Sequence, residues 1–472
     1  MESTEYDLIV LGAGPVGENI ADRAVRGGLT AALVEHELVG GECSYWACMP
    51  SKAMLRSGQV LRDARAVPGA AEVTRGGVDV RAVLKRRDAF ASNWNDEGQV
   101  QWVRGAGISL VRGHARLSAP KQVTVTGADG TERILTARHA VAVATGSDAL
   151  VPGIDGLADA DPWTSREATS AQEVPAGLAI IGGGVVATEM ATAYADLGSE
   201  VTLIARAGLL TGTEPFAGEI VARALSARGV KVLLKTHAVS VTRDSDGVTL
   251  SLSDGQTITA EEVLVATGRT PRSTDIGVDT IGLTPGEWLR TDDSMRVEGF
   301  DWLYAAGDVT GRALLTHQGK YQARACGDVI AARALGKPVH DEPWGAHVAT
   351  ADHRAVPQVI FTDPEVATVG LTAEAARAQG YEVRVVDYEI GNVAGAALHA
   401  DGYQGTARMV VDEKRKVLLG VTMAGPDVGE MLQAATFVVV GEVPLDRLWH
   451  AVPAYPTVSE VWLRLLEAYG RP

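Results

Sequence analysis

Gly40-Gly41-Glu42-Cys43-Ser44-Tyr45-Trp46-Ala47-Cys48-Met49-Pro50-Ser51-Lys52 carries two of the chain's three cysteines, and it is the chemical centre from which the other motifs take their meaning. On one regular helix, residues spaced like these cysteines would stand about 140° apart around the axis and about 7.5 Å along it. Bridged cysteines keep their Cα atoms roughly 4.4–6.8 Å apart. A bridge here therefore requires an irregular backbone between Cys43 and Cys48. Gly40-Gly41 and Pro50 supply one, because glycine takes left-handed conformations and proline sits in a helix only near its start. A helix running on from there would aim its positive end at Cys48 and favour the thiolate. Two unrelated buried thiols are the competing reading. Zinc fits poorly, since its knuckles use closer spacings and two further ligands, and no metal site is expected.

The chain has 472 residues, which suggests about three domains of ~150 residues each, and its 46% hydrophobic content is ordinary for a globular protein. A net charge of −16 argues against a nucleic-acid partner, which would need a basic footprint. No apolar run approaches the ~18 residues of a membrane span, and Met1-Glu2-Ser3-Thr4-Glu5 lacks the basic start of a secretory signal, so a cytoplasmic protein is expected. Three cysteines in so long a chain are no structural disulfide framework, and a cytosolic disulfide is usually catalytic or redox-sensing. Cys326, in the helical run Lys320–Leu335, reads as a small core residue.

Upstream, Tyr6–Leu11 reads as a buried strand, followed by Gly12-Ala13-Gly14-Pro15-Val16-Gly17 and a helix to about Gly27. A second strand, Ala31–Val34, ends in Glu35, whose carboxylate can accept from ribose hydroxyls. The glycines let a pyrophosphate approach the helix N-terminus, so an adenine dinucleotide is expected here. Residues 53–115 look mostly helical, with Trp94 and His114 as packing or surface residues. Val123–Thr126 and Arg133–Thr136 look like a hairpin around Gly127–Thr131, and Ala140–Thr145 a strand ending in a small-residue turn with Gly146 and Ser147. Val151–Gly156 reads as a linker. The plan then repeats: Leu178–Ile181 precedes Gly182-Gly183-Gly184-Val185-Val186-Ala187, and Val263–Arg269 echoes the first Ala-Thr-Gly strand at Gly268. Two copies imply two dinucleotides. The second copy's strand Val201–Ile204 ends in Ala205-Arg206, a cation where a carboxylate would read a free 2′-hydroxyl, so NADPH is expected, with NADH possible.

The Gly-Gly-x-Cys-x-x-x-x-Cys-x-Pro-Ser-Lys pattern resembles the redox signature of the FAD-dependent pyridine nucleotide-disulfide oxidoreductases, the class that includes dihydrolipoamide dehydrogenase, glutathione reductase and mercuric reductase. The resemblance spans nearly the whole chain. It implies an α/β fold with two Rossmann-like dinucleotide-binding domains and a C-terminal α+β dimerisation domain. The expected boundaries are 1–149 with 274–340 for FAD, 150–273 for NAD(P), and 341–472 for the interface. It further implies that FAD is held by Gly12, Gly14, Gly17, Glu35, Gly41, Lys52, Thr145, Gly146, Asp308 in Trp302–Asp308, Thr316 and His317, and NAD(P)H by Gly182, Gly184, Ala187, Arg206 and Gly268. Ala187 at the third glycine position also points to NADPH, and Val185-Val186-Ala187 looks like mercuric reductase. Cys48 would be the charge-transfer thiol and Cys43 the interchange thiol. Lys52 and Glu189 match a pair in which the lysine stabilises reduced flavin and the carboxylate keeps it charged. Phe361–Ala367 opens the interface region, which in the family forms a homodimer and lends residues to the partner's site.

The departure lies at Pro453–Glu460. Thiol-oxidising members carry a histidine before the Pro-Thr, oriented by a glutamate matching Glu460; here that position is Tyr455. Mercuric reductases also have tyrosine there but end in a cysteine pair, whereas this chain ends Tyr469-Gly470-Arg471-Pro472. The expected activity is electron transfer from NAD(P)H through FAD to Cys43–Cys48 and on to a disulfide, a soft metal ion or a quinone. Mercuric reductase-like or dihydrolipoamide dehydrogenase activity is an alternative, as is a flavin dehydrogenase of a small metabolite with idle cysteines. A non-enzymatic flavin sensor is the rival from outside enzymology.

Overall fold

A computed structural model describes residues 4–470; Met1-Glu2-Ser3 and Arg471-Pro472 lie outside the described residues. The chain forms two compact units, residues 1–49, 88–149 and 269–352, and residues 50–87, 150–268 and 353–472.

The first unit is built on a seven-stranded sheet ordered Ser109–Arg112, Ala31–Glu35, Glu5–Leu11, Glu132–Val143, Gln122–Thr126, His114–Ala119, with Leu303–Ala305 also on Glu132–Val143. Leu8, Ile9, Val10 and Leu11 are all fully buried, as a parallel strand covered on both faces requires. The helix Pro15–Arg26 packs beside the helix Thr316–Ala334, and Cys326 lies fully buried among Ile20, Ala24 and Val329, the core position expected for it. The expected hairpin is present, but Arg133–Thr136 and Ala140–Val143 are one strand, Glu132–Val143. Its first half pairs antiparallel with Gln122–Thr126 and its second half parallel with Glu5–Leu11. Ala137-Arg138-His139 contains no glycine or proline to interrupt it. The expected helical stretch also gives way to strand at Ser109–Arg112.

The second unit contains a four-stranded parallel sheet ordered Lys231–Leu234, Glu200–Ala205, Gly177–Ile181, Glu262–Val265. It also holds a three-stranded antiparallel sheet, Ala238–Asp244, Gly247–Leu252 and Thr257–Ala260. Its C-terminal part is a five-stranded sheet ordered Pro357–Ile360, Glu365–Gly370, Val417–Gly425, Thr406–Asp412, Val383–Glu389, with the helix Val428–Val440 against it. Val417–Gly425 is buried along its whole length, as the central strand of a covered sheet must be. No described helix is long and apolar enough to cross a membrane.

Candidate redox and dinucleotide sites

The glycine turns take the shape their spacing demands. At Gly12 φ is +95°, and a Cβ would stand 2.5 Å from the Ala144 carbonyl oxygen; at Gly17 it would stand 1.9 Å from the Gly12 oxygen. The Pro15–Arg26 helix has no side-chain cap at Gly14, which leaves its first N–H groups for another acceptor. Gly41, at φ +56°, brings its backbone against Gly14, where a Cβ would come within 2.8 Å of the Gly14 Cα. This is a cradle of backbone into which a pyrophosphate fits. Glu35 is oriented beside it: one carboxylate oxygen accepts from the Ala13 N–H at 2.8 Å, the other from His36 and Glu37 at 2.9 and 2.8 Å. A carboxylate has about four lone-pair positions, so one is left for a hydroxyl.

The second turn repeats this. A Cβ at Gly182, φ +142°, would meet the Ala266 oxygen at 2.2 Å, whereas one at Gly184, which starts the uncapped helix Val185–Asp196, would meet nothing. Ala187 is fully buried, which is why its small side chain suffices there. Gly268, φ +153°, ends the echoing strand, its carbonyl accepting from the Leu150 N–H at 2.9 Å. Arg206 follows Glu200–Ala205, is exposed, and makes no ion pair or side-chain hydrogen bond among the described residues. Lys235, also exposed, donates its backbone N–H to the neighbouring Ala207 carbonyl at 3.4 Å.

The cysteines sit on a broken helix. Gly41–Tyr45 forms a short helix, Trp46 and Ala47 leave helical geometry, and a new helix, Cys48–Arg65, starts at Cys48 itself with Pro50 in its first turn. This is the irregular backbone the spacing requires. Both sulfurs are unbridged. The Cys43 thiol hydrogen-bonds Cys48, and this contact, followed by burial, pushes it well above the usual thiol range. Cys48 Sγ lies 3.3 Å from Thr316 Oγ1, and Thr316 is the first residue of the Thr316–Ala334 helix. Two helix N-termini, one of 18 and one of 19 residues, thus converge on one sulfur, where their dipoles favour negative charge. His317, next along, is exposed.

One turn beyond Cys48, Lys52 Nζ donates to Glu189 Oε2 at 2.7 Å, pairing the two residues that the resemblance couples. Thr145 Oγ1 donates to the Arg272 carbonyl, and Gly146, φ +80°, has open space where a Cβ would stand. Asp308 is half-buried, and the loss of solvent raises its carboxyl above the ordinary range; it accepts from Ser147 Oγ at 2.7 Å. Ser147 in turn accepts from Arg269 Nε at 2.6 Å. Arg272 reaches Glu42 at 3.0 Å and Asp148 at 2.6 Å, tying the cysteine loop to the turn after Arg269–Pro271.

Tyr455 and Glu460 are not brought together. Tyr455 is 76% exposed and makes no side-chain hydrogen bond among the described residues. Glu460 is buried, its Oε1 bound to Arg464 at 2.6 Å and its Oε2 without a partner among the described residues. Sequence reading missed Ser147, Arg269, Arg272 and Glu42, whose partners lie far along the chain. It also missed Glu18, a buried carboxyl pushed up to about 8 by desolvation, with Lys320 opposing and Glu35 adding to the shift.

Residues 6–324 match the family model described as pyridine nucleotide-disulphide oxidoreductase, and residues 356–465 match its dimerisation domain. A dihydrolipoyl dehydrogenase of Halobacterium salinarum is 31% identical, over 98% of this chain and 96% of that one. A mercuric reductase of Staphylococcus aureus is 30% identical, over 97% of this chain and 81% of that one. Among solved structures, the HOCl-induced flavoprotein disulfide reductase RclA of Escherichia coli superposes with a TM-score of 0.82 at 23% identity, covering 98% of this chain and 99% of that one. LpdA of Mycobacterium tuberculosis gives the same score and identity over 99% and 100%. At these identities the two structures bear on the fold alone.

Proposed function

Because the chain belongs to the pyridine nucleotide-disulphide oxidoreductase family, enzymes that use FAD and take electrons from NAD(P)H, we propose that it draws on NADPH. We further propose that it delivers electrons through Cys43 and Cys48 to an acceptor that needs no general base, either a thiophilic metal ion or an already oxidised disulfide. The observation that carries this reading is the Cys43–Cys48 contact with two helix N-termini converging on Cys48.

The chemistry FAD would supply when bound is two-electron transfer between a nicotinamide and the cysteine pair. The chain's own residues do the rest. The cradle of Gly12, Gly14, Gly17 and Gly41, the fixed Glu35, and the half-buried Asp308 with its serine partner fit such a group, with Thr145, Gly146, Thr316 and His317 assigned beside them. Lys52, held by its ion pair with Glu189, would face the ring's electron-rich edge. Cys48 is read as the thiol against the flavin and Cys43 as the one exchanging with the acceptor. Gly182, Gly184, Ala187 and Gly268 would take the nicotinamide dinucleotide, with Arg206 on the 2′-phosphate. Tyr455 and Glu460 are assigned to the acceptor side. The lack of a histidine at 455 disfavours dithiol oxidation. The dimerisation-domain match supports a homodimer. A three-domain division with boundaries near 149, 273 and 340, and a cytoplasmic setting, complete the reading.

Anaerobic titration with NADPH tests it. Uptake of two electrons beyond those the FAD alone can hold is the expected result, and a titration that ends when the flavin is bleached would refute a working dithiol.

The cofactor assignment has its own check. Arg206→Glu replaces an unpaired cation with a carboxylate, and the ratio of kcat/KM for NADPH over NADH is expected to fall tenfold or more, about 1.4 kcal/mol. An unchanged ratio would place Arg206 away from the ribose.

A further inference from the structure

Phe361 lies just past the strand Pro357–Ile360, in the region matched to the dimerisation domain. Its backbone N–H donates to Glu189 Oε1 at 3.0 Å, while Glu189 Oε2 takes the Lys52 ammonium at 2.7 Å. The Lys52 Nζ also stands 4.8 Å from the centre of the Phe361 ring. One residue therefore touches both members of the pair, by different means. The backbone N–H fixes one carboxylate oxygen, and the aromatic face attracts the ammonium, so one residue orients both members of the pair.

The segment is firmly mounted. Asp363, two residues on, binds both Arg62 and Arg228, and Arg62 also pairs with Asp196. Lys52 and Arg62 share the helix Cys48–Arg65, while Glu189 and Asp196 share the helix Val185–Asp196. Two ion pairs thus join the two helices, and residues 361–363 close on both. The ring itself is 38% exposed, a poor position for a residue whose only task is to fill a core. Lys52, with its flexible four-carbon stem and a single carboxylate partner among the described residues, needs a second contact to fix the direction of its charge.

We infer that Phe361 is a positioning residue for Lys52, its ring bounding the ammonium on one side as Glu189 does on another. This rests on the reading that Lys52 serves the flavin.

The test compares Phe361→Leu and Phe361→Tyr in the full-length holoenzyme. In the leucine variant, acylation of Lys52 by a succinimidyl ester, read by peptide mass spectrometry, is expected to run about two- to fivefold faster, the size of a partly exposed cation–π contact. Flavin reduction by NADPH in stopped flow should slow by a similar factor with the KM for NADPH unchanged, and tyrosine should restore both. Should the leucine variant fail to fold, Phe361→Met, which keeps an apolar side chain of similar length without an aromatic face, takes its place. Unchanged Lys52 acylation in the ring-less variant overturns the inference, as does a tyrosine variant no better than leucine. Lys52→Met separates the underlying reading: if it leaves flavin reduction unaltered while the acylation results hold, the ring positions Lys52 but the flavin role of Lys52 falls.

Discussion

Cys48→Ser is expected to end the NADPH titration at flavin reduction, to abolish the long-wavelength thiolate-to-flavin absorption band, and to lower turnover of dithiol-dependent acceptors about a thousandfold or more. Cys48 is the sulfur on which the two helix N-termini converge, with Thr316 Oγ1 at 3.3 Å. A serine oxygen there can neither bridge to Cys43 nor ionise in the working pH range. The backbone break at Trp46 and Ala47 is set by the residues around it, so the fold should be retained. Cys43→Ser is the matched control: it too loses the bridge, but it leaves Cys48 in place and should keep the band. Quinone reduction directly from the flavin should survive both substitutions. A Cys48→Ser enzyme that still takes up the extra electrons would mean that the dithiol is not coupled to the flavin.

Tyr455→His should raise dihydrolipoamide oxidation, about a hundredfold if the new imidazole contributes as general bases usually do. A phenol, with an ordinary pKa near 10, is a poor base at neutral pH, whereas an imidazole near 6.5 is matched to deprotonating a dithiol. The side chain at 455 is exposed and unbonded, so the imidazole costs little packing. Glu460, which the family resemblance makes the orienting partner, is engaged with Arg464 through Oε1 and makes no bond to residue 455 among the described residues, so the gain comes from the imidazole itself. The measurement is kcat/KM for dihydrolipoamide, beside a thiophilic metal ion and a quinone, for which no such gain is expected. Wild-type turnover of dihydrolipoamide at hundreds per second, in the upper part of the usual enzyme range, would mean that another base serves the site.

What could be read from sequence is what local backbone chemistry dictates. Gly12 and Gly182 announce themselves because left-handed conformations and close carbonyls admit no side chain, and Pro50 marks a helix start because its missing N–H is harmless only there. The pair Lys52 and Glu189 was legible only through resemblance, since 137 residues separate them. Phe361 on Glu189, Ser147 on Asp308 and Arg62 on Asp363 span 172, 161 and 301 residues, and nothing local to either partner signals the contact. The opposite failure occurs at Glu132–Val143, where a change of partner midway along one strand looks in sequence like two strands.

That strand also sets a schedule for the ribosome. Glu132–Val143 closes onto Glu5–Leu11 as soon as both have emerged, but its other parallel neighbour, Leu303–Ala305, is made only after the whole of residues 150–268. At about 5–20 residues per second, the gap lasts on the order of ten to thirty seconds. During that time the last half of Glu132–Val143 is an open sheet edge, and neither Asp308 nor the Thr316–Ala334 helix yet exists to complete the first nucleotide site. Nascent chains of this protein should therefore depend on chaperones through the middle of synthesis and acquire their flavin only after the Thr316–Ala334 helix has emerged.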